Sequence, residues 1–368
     1  MTLERMDFSD PRLRAWWTVV YADGLHTNTP FQSLEWNESW WNAFGAADER
    51  RELFLIAGFD TSRAIRFIAP LFLQKRAFGG ALAWEHLLFI GDDLAPYLDI
   101  IVPAIDNTDY TEDIVRYCEQ QRPRAWLQLR DIPVGGIASR IAIHFERHDE
   151  RLVRPGRSCL RLELTEGGEG SVDDLLVAAV RPSFRRTLKK ALTRYADAAN
   201  GLAWTYSAPD DTLRSCLTAL SAERFGESAF LAEPSNADFF LDLQNRLAHE
   251  AKYAVLTAHG EPVHCLMGFE HGGVFYYFLS GMLPSAAALA PGIINFALLI
   301  NTLRTRDLRA LDFLRGEERY KKDFGGVEFR TVCMRVVPPR ARARHAAAGF
   351  LRGMRRMIAG ARRQGRVA

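Results

Sequence analysis

At 368 residues, 48% of them apolar and 25% charged, the chain has the size of about two domains and the usual balance of a soluble globular protein. No apolar run is long enough to cross a bilayer, and the N-terminal stretch MTLERMDFSDPRLR lacks the apolar core of a signal peptide, so a cytoplasmic location is expected. The formal net charge of +2 hides an asymmetry: residues 340–368 hold nine arginines and no acid, which leaves 38 basic against 45 acidic side chains in residues 1–339. A mildly acidic body argues against nucleic acid as its main ligand. The five cysteines (Cys118, Cys159, Cys216, Cys265 and Cys333) are scattered and form no CxxC pair, so neither a disulfide framework nor a metal site is expected.

Leu13, Trp16, Trp17, Val20 and Tyr21 set a helical pattern near the N-terminus. A second helix is expected after Thr29-Pro30-Phe31-Gln32, with Ser33 as its N-cap, and it carries Leu34, Trp36, Trp40, Trp41 and Phe44. Tryptophans this dense on a short segment read as core. The pattern then changes to strands. Residues 53–59 and 64–73 flank Asp60-Thr61-Ser62-Arg63 as a hairpin. Gly79-Gly80 breaks the chain. Strands at 83–90 and 98–102, an amphipathic helix at 111–121 and a strand at 126–130 follow, with further strands to about Leu164.

Gly167-Gly168-Glu169-Gly170 reads as flexible, and residues 171–180 as a short capped helix. Residues 183–199 form a helix with Phe184, Leu188, Leu192 and Tyr195 on an apolar stripe. Arg185, Arg186, Lys189, Lys190 and Arg194 make its cationic flank, either a solvated face or a rim for an anionic ligand. The order of the first half then repeats. A strand at 202–206 leads to helices at 210–225 and 236–250. Hairpin strands at 253–258 and 262–270 enclose His259-Gly260-Glu261, and a third strand lies at 274–280.

The chain is organised around residues 291–326, PGIINFALLINTLRTRDLRALDFLRGEERYKKDFGG. They supply a helix opened by Pro291-Gly292, a buried strand at 310–314 and a charged turn. A loop running straight into a helix offers free N–H groups and the positive end of the helix dipole, which suits a phosphate. A closing strand falls at 331–337. The repetition reads as a structural duplication, with parts at 1–165, 166–200 (a basic helical connector), 201–339 and a tail at 340–368. In the tail, Phe350, Leu351, Met354, Met357 and Ile358 share one helical face rimmed by arginines. It reads either as an amphipathic helix for peripheral contact with an anionic membrane or as an unstructured solubilising tail.

This order of elements resembles the Gcn5-related N-acyltransferase (GNAT) superfamily. The resemblance is carried by the SFRRTLKKALTRY helix, the hairpin around Gly260, the strand at Tyr276-Tyr277 and Ala290-Pro291-Gly292. Its sharpest piece is Asp312-Phe313-Leu314-Arg315-Gly316-Glu317-Glu318-Arg319-Tyr320-Lys321. Within the superfamily the chain is similar to the double-domain branch near the CelD-like, cellulose-biosynthesis-associated acyltransferases, with the FemAB peptidyltransferases as distant relatives. The resemblance spans most of residues 30–337. It implies an α/β fold of α+β mixed sheets, two GNAT-like halves in tandem, each a mostly antiparallel sheet flanked by helices.

The activity implied is direct transfer, in a ternary complex, of an acyl group from acetyl-CoA or another acyl-CoA to an amine or sugar acceptor. The implied setting is exopolysaccharide or cell-envelope biosynthesis. Two readings stand beside it. One is a FemAB-like aminoacyltransferase using charged tRNA, disfavoured by the acidic body and the lack of a long coiled-coil insertion. The other is a degenerate scaffold of a polysaccharide complex, tethered by the tail. The chain departs from the family in a phosphate loop poorer in glycine and basic residues. It departs again at Val263-His264-Cys265, where the family has small apolar side chains.

Acyl transfer needs a held thioester, a donor for the developing oxyanion and a base. The resemblance assigns the acyl-CoA donor to Pro291, Gly292, Ile293 and Asn295, with a strand N–H beside Pro291-Gly292 polarising the thioester carbonyl. The base candidates are Asp312, Glu317, Glu318 and His264. Asp312, set in the apolar run LDFL, reads as a desolvated base or as a structural carboxylate. His264 reads as a proton acceptor at neutral pH or as a core histidine. Cys265 beside it has no accompanying signature of a covalent route. Tyr320 reads as the acid for the departing thiolate or as a packing residue. Lys321, Arg315, Glu318 and Tyr277 are expected to bind the substrate.

Overall fold

The computed structural model describes residues 1–78, 82–146, 153–164 and 180–338. The expected Gly79-Gly80 break, the Gly-rich stretch with most of its capped helix at 171–180, and the tail at 340–368 lie outside the described residues. The first half runs β1 (Thr2–Met6), α1 (Pro11–Asp23), α2 (Leu34–Trp40), β2 (Arg51–Phe59), β3 (Ile65–Phe78), β4 (Leu82–Phe89), α3 (Thr111–Gln121), β5 (Ala125–Ile132), α4 (Ile137–Glu146) and β6 (Val153–Glu163). The second opens on α5 (Pro182–Ala196) and runs β7 (Leu202–Ser207), α6 (Asp211–Phe225), α7 (Pro234–Arg246), β8 (Ala251–Ala258), β9 (Glu261–His271) and β10 (Val274–Met282). It closes on α8 (Pro291–Thr305), β11 (Ala310–Arg315), α9 (Arg319–Asp323) and β12 (Val327–Val336).

Local chemistry explains most of these boundaries. Ser33 accepts the Trp36 N–H and Asp210 the Leu213 N–H, so α2 and α6 start where a side chain satisfies a free amide. Pro11, Pro182, Pro234 and Pro291 stand at helix starts, where no N–H is needed. Trp17, Trp36 and Trp40 are buried, as a core reading requires.

Four segments differ from the pattern. Residues 98–102 touch β3 through the single bridge Ile68↔Ile101 rather than forming a strand. The β-branched run IASRIAIHFE is a helix, α4, in place of more strand. The edge strand β1 has too few apolar positions to announce itself. The charged turn contains one short helix, α9.

The strands form one twelve-stranded sheet in the order β1-β2-β3-β4-β5-β12-β6-β11-β10-β9-β8-β7. Among the described residues, only β4 with β5 and β10 with β11 are parallel. The two halves have the same element order but exchange their last strands. β12 lies against β5, and β6 lies against β11. Each exchange is marked by a bulge at the same place, between Leu129 and Ile132 in β5 and between Asp312 and Arg315 in β11. Asp131 and Leu314, the matching residues, both take positive φ, 52° and 55°.

The seam is packed as a core. Trp36 is fully buried and meets Phe31, Phe239, Phe269 and Phe278 edge-on at 4.8–6.3 Å, so α2 of the first half is wedged against α7 and the sheet of the second. Arg246 binds Glu38 at 2.8 Å and Ser39 binds Asp242 at 2.7 Å across the same seam.

We predict that residues 1–165 expressed alone do not form a cooperative fold, because β12 is missing from between β5 and β6. Co-expression with residues 166–368 restores a one-to-one complex by size exclusion. A soluble fragment 1–165 with a sharp unfolding transition would contradict the strand exchange.

Candidate active site

β10 and β11 pair at three rungs only, ending at Tyr276↔Asp312. Beyond that point β10 bulges between Tyr277 and Leu279 and runs on to Met282, while β11 turns away at its own bulge. The strands part, leaving a cleft. α8 begins at its mouth: Met282 pairs with His264, and a Cβ on Gly292 would lie 3.4 Å from His264 Nε2. Gly281 lets α6 close in from the other face, since a Cβ there would come within 2.4 Å of the Ser221 nitrogen.

The first half has the same parting of strands, because β4 and β5 also share three rungs. There the space is refilled by the chain itself. Tyr97 N–H bonds the Asp131 carbonyl at 2.8 Å, and Arg130 pairs with Asp92. Asp99 accepts the Ile137 and Ala138 N–H groups at the start of α4. The helix equivalent to α8, α3, donates its Thr111 N–H to Asp109 Oδ1 and carries Glu112 and Asp113 in its first turn. Those charges repel an anion. α8 has no acid in its first turn and no side chain on its N-terminal amides, and its N-cap Ala290 is held at φ 56°. An alanine in that left-handed region costs about 1 kcal/mol, a strain found at functional turns. Of these two helices, only α8 therefore presents an end suited to phosphate.

His264 and Asn295 lie beneath that helix end rather than facing it. Asn295 is fully buried; its Nδ2 donates to the Ala254 carbonyl and to His264 Nδ1, both at 2.9 Å. Its Oδ1 accepts the Trp204 Nε1–H at 3.0 Å. Burial lowers the His264 pKa to about 3, so the imidazole is neutral and its basic nitrogen is already occupied. The expected base at His264 and the expected donor contact at Asn295 give way to a structural staple between β9 and α8.

Asp312 is likewise engaged. It is fully buried; Arg161 donates twice to Oδ2 at 3.0 and 2.8 Å, while Oδ1 accepts the Tyr97 hydroxyl at 3.1 Å and the Leu314 N–H at 2.8 Å. Burial pushes its carboxyl up and these donors oppose the push. Arg315 bonds the Asp93 carbonyl at 2.7 Å and pairs with Asp131 at 2.8 Å, so it joins the halves rather than facing the cleft. Lys321 is buried and spends its ammonium on Glu318 at 2.8 Å and the Arg315 carbonyl at 2.6 Å. Glu317 is exposed, with Arg330 at 4.0 Å. Glu318 folds back over Gly316, where a Cβ would meet its Oε2 at 2.3 Å.

The cleft itself holds hydroxyls. The Tyr277 hydroxyl lies 2.6 Å from Ser280 Oγ, and Tyr320 is its neighbour in the site. Both phenol rings pack on Phe296 of α8, at 5.1 and 5.3 Å between centroids. Burial raises both phenol pKa values, and the charge of Glu318 acts on both. Arg224, in the last turn of α6, acts on Tyr277, Tyr320 and His264 from the other side. Ser280 and Arg224 escape a reading of the sequence. The bulge that turns Ser280 toward Tyr277 leaves no pattern, and Arg224 looks like any charge at a helix end.

Residues 182–322 match the family model described as acetyltransferase (GNAT) domain. The second half thus carries a GNAT-type domain, and the cleft lies inside it. No curated protein matches the chain. Among solved structures, that of FemX is similar over 92% of this chain and 97% of its own, with 10% identity and a TM-score of 0.58. A conserved protein of unknown function from Bacteroides thetaiotaomicron is similar over 92% and 99%, with 11% identity and a TM-score of 0.55. At such identities the likeness is one of fold, and it extends across both halves.

We predict a stability loss in acid that traces to His264. Its native pKa, about 3, lies below the ordinary value of 6.5. The unfolded chain therefore takes up a proton that the native one refuses. Stability is fully present above pH 6.5 and falls by about 1.4 kcal/mol per pH unit as pH drops toward 3. Urea midpoints from pH 7 to 4 measure this. An equally steep fall in a His264→Gln variant would assign the effect elsewhere.

Proposed function

We propose that the chain is an acyl-CoA-dependent acyltransferase that uses the cleft between β10 and β11 as its donor site and acts on an amine or sugar acceptor. The observation that carries this reading is the acid-free, uncapped N-terminus of α8 at the mouth of a cleft lined by two phenols, within the stretch that matches a GNAT domain. The helix end takes the pyrophosphate of acetyl-CoA or of a longer acyl-CoA, with Pro291, Gly292 and Ile293 giving a close backbone approach. The acyl arm runs down the parting of the strands. There the backbone N–H groups of bulged β10 polarise the thioester carbonyl.

The acceptor attacks the carbonyl carbon directly, in a ternary complex. Glu318 is the carboxylate whose charge reaches the phenols, and it orients the acceptor or takes its proton. A phenol of the Tyr277–Tyr320 pair protonates the leaving sulfur; a positioned acid of this kind contributes about 10²–10⁴-fold. A place near the CelD-like branch and a task in exopolysaccharide or cell-envelope synthesis remain part of the proposal. So does peripheral membrane contact through residues 340–368. No helix among the described residues is long and apolar enough to span a membrane.

Calorimetry with acetyl-CoA tests the donor site. We predict binding by the full chain and a loss of at least about tenfold in a Gly292→Trp variant, whose indole fills the approach beside His264. Failure of the native chain to bind acetyl-CoA or longer acyl-CoAs would sink the reading and leave the aminoacyl and scaffold alternatives.

A further inference from the structure

Coenzyme A carries a third phosphate, on its ribose, beyond the pyrophosphate assigned to the end of α8. Lys321 and Arg315 are engaged by Glu318, Asp131 and carbonyls, so they are not free to meet it. The helix α5 offers other cations. It holds Arg185, Arg186, Lys189, Lys190 and Arg194 and no acid, and all five side chains are exposed. Together with Thr193 they line an open groove of about 740 Å³. Among the described residues, Lys190 and Arg194 enter no ion pair.

The packing of α5 puts part of this charge beside the helix end. Ala191 and Tyr195 belong to a small apolar cluster with Ala290, Ile293 and Ile294, the N-cap and first turn of α8. Phe184 and Leu188 pack in the neighbouring core, where Phe184 meets Phe324 edge-on at 5.2 Å. The C-terminal half of α5 thus crosses the start of α8. Arg194 lies three positions after Ala191, on the same side of the helix, and Lys190 stands one turn before Arg194. Arg186 and Lys189 lie on the far side of the helix from Ala191. Packed helices are about 8–10 Å apart, a gap within reach of an arginine or lysine side chain.

We infer that Lys190 and Arg194 form a subsite for the ribose 3′-phosphate of the acyl donor. The inference rests on the acyl-CoA reading and names the part of the donor that α5 takes. The ribose follows directly on the pyrophosphate. A donor anchored at residues 290–293 therefore carries its 3′-phosphate to the edge of the helix end, where α5 crosses. A phosphate monoester holds a charge of about −1.5 to −2 at neutral pH. Arginine meets its oxygens as a planar fork, and lysine as a point charge. The subsite narrows the donor class. A thioester carried on coenzyme A has this phosphate; one carried on a protein-bound phosphopantetheine lacks it.

Calorimetry on the full chain tests this, with acetyl-CoA and 3′-dephospho-acetyl-CoA as the probes. The native chain is expected to bind acetyl-CoA about tenfold more tightly than the dephospho form, and the ratio to shrink as salt is raised. The double variant Lys190→Gln/Arg194→Gln is expected to bind both probes equally, at the native affinity for the dephospho form. Arg186→Gln/Lys189→Gln removes the same charge from the far side of the helix and is expected to keep the preference. All four side chains are exposed, so neither variant disturbs the core. Three results would overturn the subsite while leaving the donor site in place. They are equal binding of the two probes by the native chain, a preference that survives in Lys190→Gln/Arg194→Gln, and an equal loss in Arg186→Gln/Lys189→Gln. Failure of the native chain to bind either probe overturns the acyl-CoA reading, and the subsite with it.

Discussion

The structure turns on one buried carboxylate. Asp312 closes the bulge of β11 by accepting the Leu314 N–H, and Leu314 is thereby held in a left-handed conformation that a leucine seldom adopts. Its other oxygen is taken by Arg161 from the exchanged strand β6, and the Tyr97 hydroxyl, from the refilled first half, donates to the same oxygen as the Leu314 N–H. A carboxylate withdrawn from water is tolerable only with such a set of donors, and removing one partner of a buried pair costs about 3–5 kcal/mol. The same residue therefore fixes the strand exchange, the seam between halves and the direction in which the chain leaves β11. That direction carries Arg315 to Asp131 and delivers α9, with Tyr320, beneath the cleft.

The two halves share one order of elements, and their chemistry differs. Both parallel strand pairs stop after three rungs, so each half inherits an opening. In the first half the opening is consumed by residues 91–103, whose polar groups pair with β5 and cap α4. In the second half β10 connects to α8 through a 3-10 helix at Pro284–Leu289. Acids at the head of α3 and their absence at the head of α8 add an electrostatic difference to the steric one.

The cleft is built from hydroxyls and backbone more than from charge. The cations one would assign to phosphate, Lys321 and Arg315, are held by Glu318, Asp131 and carbonyls. In the proposed function, attraction for the pyrophosphate of the donor then falls to the helix dipole. In a site with little free charge, the placement of a proton depends on which hydroxyl oxygen has the better donors around it. This makes the bulge in β10 a chemical feature as well as a geometric one.

How much of this was legible in the sequence depends on the range over which each property is decided. Helix starts at Ser33, Asp210 and Pro291, the two hairpins, and the repeated order of elements depend on neighbours within a few residues, and the chain determined them by itself. So did the tryptophan core and the acid-free start of α8. The roles of single polar residues were decided elsewhere. Asp312 has its partners at Arg161 and Tyr97, more than 150 and 200 positions away, and Lys321 and Arg315 are spent on groups that no local pattern reveals. His264 looks titratable until Asn295 and Trp204 bury it. The exchange of β6 and β12 and the bulges of β5, β10 and β11 left no local signal. Pairing across a sheet is a long-range choice made by the whole fold, and it alone turned Ser280 toward Tyr277.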